Sequence, residues 1–211
     1  MSSFIDKIWL DADRRLDAIC QEAVEATAEH SNALILAHFK TTLASMEEHL
    51  NARAIEYKPY SPPDFSSLCP GGFNTERSSI WVGQASHFRA RSLAPVEHSL
   101  SSLRILVAEH HPMAPKDQAL LDAASSLLCN AHVTYHTSLS DALMMHFGGE
   151  RLRGLMKQLG MQEQECISSP VISRAIRTAQ EKIEKQVQLE VQTMSPEEWF
   201  KYNLPRKNET F

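Results

Sequence analysis

Glu109, His110 and His111 stand in a row, and His132 and His136 follow on HVTYH, a segment of alternating polarity. Several imidazoles and a carboxylate make up the donor set of a zinc-type site, in which an open coordination position would activate water for hydrolysis. The spacing does not force these groups together. No HxxxH pair falls on a helix, where both rings would converge, and His110 lies two residues before Pro112 in a turn. Among possible nucleophiles, Cys69 or Cys129 would need a nearby imidazole and a cationic or helix N-terminal setting. Cys129 instead ends a helical stretch, where the dipole disfavours a thiolate. The acid pairs Glu47–Glu48 and Glu197–Glu198 are adjacent rather than convergent and read as solvated faces. Seven glycines, at 71, 72, 83, 148, 149, 154 and 160, leave no place for a GxxxxGK[ST] or GxGxxG phosphate cradle. No catalytic, cofactor-binding or metal-ligating residue is therefore assigned; a metal-dependent hydrolase remains an alternative reading.

The 211 residues carry a formal charge of −5, which argues against a basic sleeve for nucleic acid. With 43% hydrophobic and 22% charged residues the chain is globular in composition. No apolar run approaches the ~20 residues that span a bilayer, and Asp6, Asp11 and Asp13 interrupt the start where a signal peptide would be apolar. The expectation is a cytoplasmic protein without membrane insertion. Cys20, Cys69, Cys129 and Cys166 form no CxxC and are expected as reduced structural thiols.

Apolar residues at helical spacing from Phe4 to Val24, and again from Leu34 to Leu50, predict a helical hairpin over residues 1–57. Residues 58–75, rich in Pro, Gly and Ser, predict a connector. The following module, 76–193, opens with a short buried strand, SIWVG, and then a strand covered on both faces, LRILVA. A helix from Lys116 to Leu128 joins it to the strand His132–His136, so a parallel strand–helix–strand unit follows. Further helices are predicted over 142–147 and 150–159, the latter stopped by Gly160, and from a Ser169 cap and Pro170 to about Val191. Residues 194–211 hold a short helix opened by Ser195 and a polar tail. The fold class is α/β: a small, mostly parallel sheet flanked by helices, with an N-terminal helical hairpin and a long C-terminal helix.

Residues 159–184, LGMQEQECISSPVISRAIRTAQEKIE, resemble the segment of SecA, the motor ATPase of preprotein translocation, where the second motor domain passes into the scaffold helix. The shared letters include Leu159, Gly160, Met161, Glu165, Pro170, Ala175, Ile176, Ala179 and Gln180. Upstream, Ser138, Leu139, Asp141, Leu143, Met144 and Phe147 resemble the family's S-L-E-D-x-L-M-x-x-F element, and Leu103, Glu109, His111 and Asp117 its strand ending in G-T-E-R-H-E-S. The resemblance runs without insertion over Ser102 to Glu184, about two fifths of the chain, and the flanks do not match. It implies part of a helicase-type motor fold.

The family's arginine motif, Q-L-R-G-R-x-G-R-Q-G-D, is replaced by ALLDAASSLLCN, with Leu121, Ala123 and Ser126 at arginine positions. An arginine finger is typically worth 10³ to 10⁵ in turnover, and these side chains carry no charge to take its place. The resemblance with this departure implies a non-catalytic relative of the motor that binds another protein, linked to translocation, with no cofactor. A fragment completing a motor in trans is an alternative. Ile172, Ile176, Ile183 and Val187 form a helical stripe that must be buried on something. The expectation is a cover of the N-terminal hairpin; another protein or a second copy of the chain is the alternative, which makes these four the candidate partner-binding residues.

Overall fold

The computed structural model describes residues 4–61, 78–89, 102–127, 129–158, 162 and 165–205. Six parallel strands form one sheet in the order β1-β6-β5-β2-β4-β3. They are β1 (Phe4–Trp9), β2 (Asn32–Ala37), β3 (Lys58–Pro59), β4 (Ile80–Gln84), β5 (Ser102–Val107) and β6 (Asn130–Ser138). The helices are α1 (Ala12–Ala28), α2 (Lys40–Ala52), α3 (Ala114–Ser125), α4 (Ala142–His146), α5 (Gly149–Gln158), α6 (Pro170–Glu184) and α7 (Pro196–Asn203).

The predicted N-terminal helical hairpin is not formed. Residues 4–9 and 32–37 are strands in the same sheet as the later ones, each followed by a helix. In β1 the sheet-facing side chains Asp6 and Ile8 are two apart, and Asp11 then caps α1 by accepting a hydrogen bond from the Arg14 N–H at 3.0 Å. NALILA in β2 is buried along nearly its whole length, as expected of a short apolar run flanked on both sides by strands and covered on both faces. Both helices that follow these strands leave through a left-handed residue other than glycine, His30 (φ 61°) and Ala54 (φ 53°), so the usual stop signal is missing from the sequence.

The strands expected at SIWVG, LRILVA and HVTYH are β4, β5 and β6, with β5 and β6 parallel and joined through α3. The Ser169–Pro170 start of α6 is present, the Ser169 hydroxyl accepting from the Val171 N–H, but α6 stops at Glu184 rather than near Val191. Most of the expected connector, and the Gly160 stop, lie outside the described residues. Cys20 and Cys166 are free thiols, whereas Cys129 is disulfide-bonded, which the wide cysteine spacing did not indicate.

Right-handed crossovers dictate the layers. From β1 to β2 and on to β3 the chain moves across the sheet in one direction, and from β3 through β4 and β5 to β6 it moves back. Accordingly α1 and α2 cover one face, where Leu16, Ile19, Ala23, Met46 and Leu50 pack on Ala33, Ile35, Val82 and Leu106. The other face carries α3, whose Leu120, Ala123 and Ala124 pack on Leu34, Leu36, Ile105 and Tyr135. A third apolar cluster, including Ile8, Leu10, Phe39, Leu143, Ile176, Ile183 and Trp199, lies past the carboxyl ends of the strands. Among the described residues no helix is long and apolar enough to cross a membrane.

Candidate functional site

Neighbouring strands β2 and β5 send the chain to opposite faces, into α2 and α3 respectively. In open α/β sheets the crevice outside the carboxyl ends of such a pair is where ligands bind. Here that place is occupied by a network of buried charged and polar side chains.

Glu109, just past β5, staples the two strand ends. Its Oε1 accepts from the backbone N–H groups of His38 (3.1 Å) and Phe39 (3.0 Å), and its Oε2 from the Thr42 hydroxyl (2.7 Å). Phe39 precedes α2 and has no capping side chain of its own. The carboxylate of a distant strand therefore does the work of an N-cap and meets the positive end of the helix dipole. Burial pushes the Glu109 carboxyl up from its usual range, against the opposing pull of Arg15 and the Thr42 hydrogen bond.

His110 is held between two carboxylates, Asp117 of α3 at 2.7 Å from Nδ1 and Asp6 of β1 at 2.9 Å from Nε2, with its ring stacked on Tyr135 at 4.3 Å. Burial alone would lower its pKa; the two acids overcome this and raise it from 6.5 to about 10. Asp117 is the hub. Its Oδ2 also accepts from Gln180 of α6 (2.6 Å), and its Oδ1 from the His111 backbone N–H (3.1 Å), with His38 Nε2 at 2.8 Å. Burial disfavours its charge, but His110 beside it holds the carboxyl well below the usual range. With both nitrogens of His110 engaged, the imidazolium has no position from which to pass a proton to a substrate.

His111 faces the C-terminal cover. Its Nδ1 accepts from the Met113 N–H at 3.0 Å, its ring stacks on Phe39, and its Nε2 lies 3.4 Å from Glu190. Burial pushes its pKa well below 6.5, with His38 adding to the effect. Gln180 donates to the His111 carbonyl at 2.7 Å, while Glu190 accepts from the Trp199 indole at 3.1 Å and pairs with Lys116 at 2.9 Å. Helices α6 and α7 are thus fastened over the switch point by polar contacts as well as by the apolar cluster.

The five residues that suggested a metal do not converge. His110 stacks on Tyr135 on the α3 face, whereas His136 points to the α1 face, where Trp9 donates to its Nδ1 and Glu22 lies 3.5 Å from its Nε2. His132 is exposed, and Glu109 is committed to α2. Among the described residues no group of three or more His, Cys, Asp or Glu is placed to hold a metal ion. Cys20 is buried, and burial pushes its thiol up to about 11. Cys69 lies outside the described residues.

Two of the three positions that match arginines in the SecA motif face inward. Ala123 is fully buried and Leu121 nearly so, both in the cluster between α3 and the sheet, and the Ser126 hydroxyl donates to the Ala123 carbonyl at the end of α3. The stripe on α6 is covered within the chain: Ile176 and Ile183 are buried, and Ile172 and Val187 are half-buried against the same cluster. Its cover is Ile8, Leu10 and Trp199 rather than a helical hairpin. Sequence reasoning did not find Asp6, His38, Asp117 as a hub, or Gln180. One signal was present for Asp6, a carboxylate among inward-facing residues of an apolar segment.

A hollow of about 580 Å³ opens between the N-terminal end of α1 and the length of α2. Arg15 and Asp141 form a buried ion pair in its wall, and Asp13, Glu48 and Glu197 make its rim acidic.

Protein translocase subunit SecA is the recurring relative. An 85-residue stretch is 36% identical to that of Clostridium beijerinckii, covering 40% of this chain and 10% of the relative. A 100-residue stretch is 36% identical to that of an Anaeromyxobacter species (46% and 11%), and 85 residues are 39% identical to that of Nitratidesulfovibrio vulgaris (40% and 10%). No protein-family profile matches the chain. Among solved structures, the C-terminal part of the Fun30 ATPase domain superposes with a TM-score of 0.43 at 13% identity, over 81% of this chain and 54% of that one. The chain thus contains a SecA-related stretch of about two fifths of its length and spans about a tenth of the length of the SecA proteins it matches.

Proposed function

We propose that this chain is a non-catalytic, SecA-related module that binds another protein, in a setting linked to protein translocation. The observation that supports this is the inward burial of Leu121 and Ala123 at positions that match the motif arginines. A helix surface that would need cations to stabilise a transferring phosphoryl group here forms the packing between α3 and the sheet. The switch-point crevice supports the same reading, because Glu109, His110, Asp117 and Gln180 fill it with mutually satisfied contacts.

With the α6 stripe covered, the exposed apolar side chains among the described residues include Met145 and Phe147 at the end of α4, Leu152 on α5 and Tyr202 on α7, each 38–58% exposed, and these four are taken as the partner-facing group. Exposed aromatic and Met side chains of this kind are enriched at protein interfaces. Two measurements test the proposal. Purified protein should release no phosphate from ATP and show no ATP-dependent thermal shift. The Phe147→Glu, Leu152→Glu double variant should stay folded and lose the partners that intact protein retains in a pull-down. Phosphate release abolished by a point change within 102–184 would overturn the non-catalytic part and favour a motor completed in trans.

A further inference from the structure

Asp6 has an oxygen to spare. Its side chain is 1% exposed; Oδ1 pairs with His110 at 2.9 Å, and Oδ2 has no hydrogen-bond partner among the described residues. A buried carboxylate oxygen left without a donor is costly, so what stands in front of it matters. Asp6 lines a cleft of about 240 Å³ between α3 and α6 at the β1 edge of the sheet. Phe4, Leu121, Tyr135 and Ile176 give the walls an apolar and aromatic part, with Phe4 and Tyr135 edge to face at 5.7 Å, and His110, Asp117 and Gln180 also line the cleft. Arg177 of α6, about half exposed and 3.4 Å from Glu181 on the same helix, also lines the cleft. The volume is below the roughly 300 Å³ at which drug-sized pockets begin, so the ligand must be compact.

We propose that this cleft binds a small alkylammonium group, carried by a simple aliphatic amine or by a free aliphatic amino acid, with the ammonium on Asp6 Oδ2 and the alkyl body between Tyr135, Leu121 and Ile176. The chemistry follows from the donor missing at Asp6 Oδ2 and from the two carboxylates that share His110. Asp6 and Asp117 share one imidazolium, His110, while His38 stands against the far oxygen of Asp117. An ammonium supplies the N–H that Oδ2 lacks and a positive charge beside the second carboxylate; a neutral donor supplies only the first. Aromatic rings flanking the cleft suit a cation with an apolar body. An amino acid would place its carboxylate toward Arg177.

Isothermal titration calorimetry on the full chain tests this with isobutylamine, L-leucine and isovalerate. Saturable binding of isobutylamine or L-leucine, with none of isovalerate, is the expected result. Asp6→Asn should weaken that binding at least about tenfold, the worth of one charged hydrogen bond. Because Asp6 also holds His110, Ser173→Phe provides an independent variant: it narrows the same cleft from α6 and should abolish binding while leaving the circular dichroism unchanged. If L-leucine binds more tightly than isobutylamine and Arg177→Gln removes the difference, the amino acid is the source; equal affinities point to the amine. The proposal is overturned if no amine binds at millimolar concentration. Isovalerate binding equally, or binding that survives Ser173→Phe, would overturn it as well.

Discussion

Replacing His110 with Gln turns the buried Asp6–His110–Asp117 arrangement into a measurable pH effect. In the folded protein the imidazole pKa is raised from 6.5 to about 10, so the native state keeps a proton that the unfolded chain loses. The stability it contributes is fully present below pH 6.5 and is lost as pH rises towards 10. Over the window between, linkage gives a slope of about −1.4 kcal/mol per pH unit, or roughly 5 kcal/mol in all. Gln has similar reach but donates from one end only, so one of the two carboxylates loses its partner, a change expected to cost about 3–5 kcal/mol at neutral pH. Urea unfolding followed by tryptophan fluorescence, at several values between about pH 7 and pH 9, yields both stability curves. The wild-type curve should fall more steeply than that of His110→Gln by about 1.4 kcal/mol per unit, so that the two converge as pH rises. Groups common to both proteins cancel in the difference. Parallel curves, or an imidazole NMR titration placing the His110 pKa near 6.5, would show that the two acids do not hold the proton and would refute the reasoning.

Other perturbations read other parts of the structure. Glu109→Ala strands two buried N–H groups at the start of α2 together with the Thr42 hydroxyl, and should lower the urea-derived unfolding free energy by about 2–4 kcal/mol. Ile183→Asp puts a charge at a position with 0% exposure and should abolish the cooperative unfolding transition, whereas Val171→Asp, at 74% exposure on the same helix, should leave it within about 0.5 kcal/mol. Ala123→Arg restores a guanidinium at a motif position, but into a fully packed site. It should destabilise by more than the roughly 1–3 kcal/mol of simple overpacking and produce no ATP-dependent thermal shift; a shift would mean that α3 can still turn this position outward.

The second half of the fold was readable because its signals were local. LRILVA and HVTYH carried strand patterns, and Ser169–Pro170 and Ser195–Pro196 marked helix starts that the structure retains. The first half was misread for identifiable reasons. FIDKIW satisfies both a helical and an alternating pattern, and NALILA is uniformly apolar, so period alone cannot decide between helix and strand. The boundaries that would have decided it are a left-handed His30 and a helix start capped by Glu109, a residue 69 positions after the start of α2 at Lys40. The candidate site was legible only in part. Glu109, His110 and His111 stood out as chemistry-bearing residues, but the partners that define them, Asp6, Asp117 and Gln180, come from three separate elements and meet only once the sheet is assembled.

The strand order has a consequence for how the molecule can be made. Among the strands, β1 pairs with β6 alone, Phe4 lying opposite Val133, and β2 waits for β4 and β5 to arrive on either side. Strand β1 therefore pairs with a neighbour more than a hundred positions further along the chain, and the loop that this pairing must close is long. Such a pattern of distant pairings slows folding and postpones it until β6 has been made. During that interval Ile8 and Leu10 have no apolar cover of their own, and the nascent chain is most in need of a chaperone's shelter.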